Sequence, residues 1–119
     1  LHESNSPSLF SPLGLVLAPT RELCMQIEEQ AKQFMKGLER MKTALIVGGL
    51  PLPPQVHRLK TGVQVVIATP GRLLEVLNKV DVELSHVRIL VLDEVDTMLQ
   101  LGFEGQVLYC NLINMQLRF

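Results

Sequence analysis

The sequence predicts an α/β domain built on a parallel sheet. Short, near-continuous apolar runs occur four times, at 15–18, 43–47, 63–68 and 88–93. Between them lie stretches whose apolar residues fall at helical spacing. Strands that are apolar throughout belong in sheets covered on both faces, which is the habit of parallel sheets.

Each element has its own signals. Residues 1–12 are rich in Ser and Pro and read as a loop. Leu15 to Ala18 form the first strand, ended by Pro19-Thr20. From Arg21 the period changes, and Leu23, Ile27, Ala31, Phe34, Met35 and Leu38 define the apolar face of a helix that ends near Gly37. Thr43 to Val47 is the second strand, closed by Gly48-Gly49. Pro51, Pro53 and Pro54 mark a loop and a helix start, Val56 and Leu59 face the core, and Gly62 stops that helix. Val63 to Ala68 is the third strand. Thr69 is the expected N-cap of the next helix, with Pro70 at its first position and Leu73, Leu74 and Leu77 on its apolar face. Residues 81–86 connect to the fourth strand, Arg88 to Asp93. A last helix follows from about Val95, broken at Gly102, with Phe103 packing back.

Composition sets outer bounds. The 119 residues, 47% of them apolar, suffice for one domain with a core. A net charge of −1 excludes a strongly basic arm or an acidic tail but leaves room for a local basic edge. Cys24 and Cys110 lack C-x-x-C spacing and are read as reduced thiols. No apolar run reaches the ~18 residues of a membrane span, and no basic-then-apolar leader opens the chain. The expectation is an intracellular protein, nuclear or cytoplasmic, with no membrane partner. The first residue is Leu, as in a fragment of something longer.

Right-handed crossovers place every strand-to-helix turn of such a sheet on one edge, where ligands of open α/β sheets bind. The turns are Pro19-Thr20-Arg21-Glu22-Leu23, Gly48-Gly49, Thr69-Pro70-Gly71-Arg72 and Asp93-Glu94-Val95-Asp96. The first three suit phosphate. Helix N-termini offer unpaired N–H groups, Thr20 and Thr69 add hydroxyls, and Arg21 and Arg72 add charged forks. Gly48, Gly49 and Gly71 let a backbone approach closely. Taken singly, each turn reads equally well as a cap, a tight turn or a solvated helix start. Three on one edge indicate a polyphosphate or a nucleic-acid backbone. Four Phe and one Tyr supply no stacking platform, so backbone contacts are expected over base contacts.

The fourth turn is acidic. Asp93 at the strand end is assigned to Mg²⁺, held through water, because a hard cation takes oxygen ligands and keeps several waters. Glu94 is assigned to positioning and activating a hydrolytic water. Asp96 is assigned to keeping the parts in register. Glu94 and Asp96 could equally be acidic residues that favour a helix N-terminus, but that does not account for Asp93 at the end of an apolar strand.

The ordered set PTREL (19–23), GG (48–49), TPGR (69–72) and DEVD (93–96), with Gln55 and the D-x-M-L-x-x-G-F run from Asp96 to Phe103, resembles the DEAD-box ATP-dependent RNA helicases. The stretch GGLPLPPQ (48–55) is most similar to the member with an HIT-type zinc finger. The resemblance covers about Leu15 to Val107 and implies an incomplete RecA-like (P-loop NTPase-type) domain over residues 1–107, followed by a divergent tail at 108–119. It implies that Pro19, Thr20, Arg21, Gly48, Gly49, Thr69, Pro70, Gly71 and Arg72 line an RNA backbone track. It also implies that Asp93 and Glu94 serve Mg-ATP, and that Asp96 links the ATP site to that track and to a second RecA-like domain.

Departures from the pattern shape the expected function. Val95 stands where the family has Ala, for which a mild effect is expected. No Gly is followed by Lys, so the G-x-x-x-x-G-K-[ST] phosphate loop is not among these residues. The parent is expected to be an ATP-dependent RNA helicase that remodels single strands or short duplexes, using ATP and Mg²⁺. The isolated chain is expected to be inactive. The alternatives are a non-enzymatic RNA-binding fragment and a poorly folded piece. A dinucleotide enzyme is disfavoured, since G-x-G-x-x-G is absent.

Overall fold

The computed structural model describes residues 12–80, 82, 84–100 and 102. The expectations for residues 1–11, Phe103, Cys110 and the 108–119 tail lie outside these residues. Strand and helix alternate four times: β1 (Gly14–Leu17), α1 (Arg21–Phe34), β2 (Thr43–Ile46), α2 (Leu52–Lys60), β3 (Val65–Ala68), α3 (Pro70–Lys79), β4 (Ile89–Leu92) and α4 (Val95–Gln100). The strands form one sheet in the order β2-β3-β1-β4, and every pair is parallel.

Crossover direction decides which helix covers which face. The chain steps one way along the sheet from β1 to β2, and the other way from β2 to β3 and from β3 to β4. With right-handed crossovers, α1 must lie on one face and α2 and α3 on the other. The core divides accordingly. Cys24, Leu23, Ile27 and Ala31 of α1 pack with Val16, Leu45 and Ile67. Leu59, Leu73, Val76 and Met98 pack with Leu15, Leu17, Ala44, Ile46, Val66 and Ala68. The period-2 alternation of the strands sends neighbouring residues into different halves of the core.

Three expectations are corrected. First, the described residues do not cover the sheet on both faces throughout. Leu90 and Leu92 of β4 meet the α2–α3 side, but Ile89 is 64% exposed and Val91 45% exposed. The reason is topological: α1 links β1 to β2, passing across β3, and does not reach β4. Second, Phe34 and Leu38 do not enter the core; they are 86% and 57% exposed. Four-residue strands are about 13 Å long, whereas a 14-residue helix is about 21 Å long. The last turn of α1 therefore overshoots the sheet and leaves these side chains exposed. Third, Gln55 joins Leu59 as a buried residue of α2, while Val56 is only half-buried.

Backbone pairing continues one residue past β1, β3 and β4. Ala18 N–H donates to Ala68 O (3.1 Å), Thr69 N–H to Ile46 O (3.1 Å) and Asp93 N–H to Leu17 O (2.9 Å). These bonds carry the register of the sheet into the turns.

Candidate functional site

Leu17 is in register with Ala68 and with Leu92, and Ala68 with Ile46. The four strand exits therefore stand side by side along one edge, in the order 47–49, 69–72, 18–21, 93–96. At the usual spacing of neighbouring strands the row is about 14 Å long. The expected gathering of the four turns on one edge is what the sheet produces.

Thr20 begins α1 from an extended conformation, and its Oγ1 accepts a hydrogen bond from Leu23 N–H at 3.1 Å. Its carbonyl accepts from Cys24 N–H at 3.1 Å. Pro19 is buried beneath the turn. The Arg21 side chain is 41% exposed, with one loose pairing to Glu22 at 3.5 Å. Its guanidinium lies across Gly49: a Cβ there would sit 2.5 Å from Arg21 Nη1. Gly49 also has φ +83°, so its backbone favours glycine, and a side chain there would push the Arg21 guanidinium aside. Gly48 is exposed and open.

Thr69 behaves differently from the expected cap. It occupies the N-cap position of α3 with an extended backbone, and its carbonyl accepts from Leu73 N–H at 3.0 Å. Its hydroxyl makes no capping bond. Pro70 is buried and Gly71 half-buried.

Arg72 is engaged by protein. Its Nη1 donates to Leu50 O (3.0 Å) and to Gln55 Oε1 (3.2 Å), and its Nε pairs with Glu75 at 3.1 Å. Gln55 in turn accepts from Val47 N–H (3.1 Å) through Oε1 and donates to Val47 O (3.0 Å) through Nε2. One buried amide thus satisfies the backbone at the β2 exit and anchors the arginine that holds the loop after it. Sequence reasoning noted Gln55 but gave it no role. The available signal was its place four residues before Leu59, on the apolar face of α2, where a polar residue must find buried partners.

At the acidic turn, Asp93 is half-buried, and Glu94 and Asp96 are exposed. Glu94 has φ +55°, a left-handed backbone that is uncommon outside glycine. Its carbonyl accepts from Met98 N–H at 3.0 Å and so opens α4. The three carboxylates form no hydrogen bond or ion pair among the described residues. Cys24 lies behind the turn, fully buried, with Sγ donating to Ala18 O at 3.9 Å. Burial pushes its thiol pKa up to about 11, and the negative charge of Asp93 adds to the shift.

Among the described residues no group of three His, Cys, Asp or Glu side chains forms a ready-made metal cage. A single oxygen-donor carboxylate at a strand end, with no partner among the described residues, fits a hard cation that keeps most of its own waters, as Mg²⁺ does. No helix of the described residues is long and apolar enough to cross a membrane.

Comparison with known proteins identifies the family and the fold. The DEAD/DEAH box helicase family matches residues 4–116. The chain is 59% identical to the probable ATP-dependent RNA helicase DDX59 of Homo sapiens over 108 residues, which cover 91% of this chain and 17% of that protein. It is 54% identical to the DEAD-box ATP-dependent RNA helicase 41 of Arabidopsis thaliana, over 89% of this chain and 21% of the relative. Among solved structures, the yeast DEAD-box splicing factor Prp28 superposes with a TM-score of 0.84 at 35% identity, covering 95% of this chain and 28% of that one. The chain thus spans about a fifth of its curated relatives' length, and its sheet is part of a RecA-like domain. By its matching residues, and by the edge that those residues build, the chain belongs to the DEAD/DEAH box helicase family.

Proposed function

We propose that this chain is the part of an ATP-dependent RNA helicase that grips the RNA backbone and presents carboxylates to Mg-ATP. The observation that carries the reading is the row of strand exits in register. Phosphate-suited turns at β2, β3 and β1 run directly into a turn at β4 whose carboxylates have no partner among the described residues. Arg21, half-exposed above Gly49, supplies the mobile cation for a phosphate. The Thr69 hydroxyl and the N–H groups at the starts of α1 and α3 supply neutral donors. Pro19 and Pro70, both buried, fix the entry angles of the two helices. Arg72 acts indirectly: it ties the Gly48-Gly49 turn to α3 through Leu50 and Gln55, and so sets the width of the track.

Mg-ATP, when bound, supplies a γ-phosphoryl group for transfer to water. On the protein side, Asp93 would hold the ion through water, and a Glu94 carboxylate oxygen would orient the attacking water and accept its proton. Asp96, in the first turn of α4, would connect these groups to the RNA track and to a second RecA-like domain of the longer protein. The relatives named as RNA helicases, and the family match, support the coarse reading.

The test is RNA binding and ATP turnover by the purified chain. Binding of a labelled single-stranded RNA is expected to weaken steeply with salt. Arg21→Ala should lower affinity and reduce the salt slope by about 1. Unchanged affinity in that variant sinks the track. RNA-stimulated ATP hydrolysis by the chain alone would overturn the assignment of turnover to the longer protein.

A further inference from the structure

At the edge of the sheet opposite the candidate site, α1 runs past its core contacts into a turn that carries three large apolar side chains in solvent. Phe34 is 86% exposed, Leu38 57% and Met41 39%. The turn is not slack. Met35 N–H donates to Ala31 O (2.9 Å), Leu38 N–H to Met35 O (2.9 Å) and Met41 N–H to Leu38 O (3.4 Å). Lys42 N–H is anchored to Gln64 Oε1 at 2.7 Å. Left-handed residues at Gly37 (φ +87°) and Arg40 (φ +70°) set its two bends. Apolar side chains displayed on a fixed backbone lose little entropy when covered, which favours their use in binding.

The surroundings are basic. Lys36, Arg40 and Lys42 are exposed and form no ion pair among the described residues. The single acid within the turn is Glu39. Exposed apolar groups interspersed with cations select an occupant with the reverse pattern: acidic side chains beside an aromatic or aliphatic anchor. A single-stranded RNA would match the cations but needs a flat ring for each base, and two of the three apolar groups here are aliphatic.

We infer that the Phe34–Lys42 turn is a docking surface for an acidic protein segment with an apolar anchor. It lies at the far end of α1 from Thr20 and Arg21, so it can be occupied while the phosphate-suited edge is in use.

The experiment titrates the full chain into a fluorescent acidic peptide, with Glu and Asp around one Phe and one Leu set a helical turn apart, and reads anisotropy. Saturable binding in the micromolar range is expected. Phe34→Ser, and separately the charge reversal Lys36→Glu with Arg40→Glu, should each weaken it at least about tenfold. Both variants alter exposed side chains, so their unfolding midpoints should match the parent chain and a folding defect can be excluded. A peptide with Ala in place of its Phe and Leu should also lose binding. The inference is overturned by no saturable binding, or by equal binding to the variants. It is also overturned if single-stranded RNA proves the better Phe34-dependent ligand, or if Phe34→Ser merely abolishes self-association of the chain.

Discussion

Gln55 shows how much can depend on one buried amide. Its two polar atoms satisfy the N–H and C=O of Val47 and anchor Arg72. Gln55→Ala leaves two buried backbone groups and a guanidinium short of partners. Each unsatisfied backbone group costs about 1–3 kcal/mol, so urea unfolding should show a loss of about 2–6 kcal/mol. RNA affinity should fall with it, because the Gly48-Gly49 turn loses its brace. Cys24 gives a second residue-scale prediction. Its folded pKa of about 11 lies above the ordinary 9.0. The folded state therefore keeps the thiol proton where the unfolded chain has already lost it. The stability this confers is whole below pH 9 and is lost as pH rises to 11, on the order of 2 kcal/mol. Cys24→Ala should flatten this part of the stability profile. The same burial makes the native thiol slow to alkylate.

Among the elements, α1 and α3 begin alike in sequence and differently in space. Both start with Thr and continue into Arg within a few residues. Thr20 spends its hydroxyl on Leu23 N–H, whereas the Thr69 hydroxyl makes no capping bond. Thr20→Ala should therefore cost about 1 kcal/mol of stability, read as a lower thermal midpoint. Thr69→Ala should leave the midpoint nearly unchanged and weaken RNA binding, as removal of a ligand donor does. Equal midpoint losses for the two variants would show that the second hydroxyl is structural after all. The contrast was not legible in the sequence, because N-cap preference describes a position and not the rotamer that a neighbouring turn permits. For α3, Pro70 at the first position already fixes the helix entry without a side-chain cap.

At the scale of the whole molecule, the described residues cover one side of the sheet and leave β4 uncovered on the other. Ile89 and Val91 expose an apolar strip on β4, and Val95 and Leu99 of α4 are exposed as well. Replacing both strand residues by Thr should change stability by no more than about 0.5 kcal/mol, since neither is buried. It should lower self-association in sedimentation, because contiguous exposed apolar surface promotes it. A large destabilisation would mean that the strip is packed in solution.

The order of the elements was legible from the residues alone. Four apolar runs, a change of period at Arg21 and the Thr-Pro and Gly-Gly junctions are local signals, and local signals survive without a tertiary structure. The gathering of the four turns on one edge also followed, because crossover handedness is a general rule. What only the tertiary structure decided was how each polar group is used. Arg21 and Arg72 are the same residue type at comparable turns, yet one stands half-exposed over a glycine and the other is held by Leu50, Gln55 and Glu75. Phe34 and Leu38 fit the helical period of α1 but lie beyond the sheet that would have buried them. Periodicity reports which residues share a helix face. Whether anything lies opposite that face depends on strand length and strand order, which are set by contacts between residues far apart in the chain.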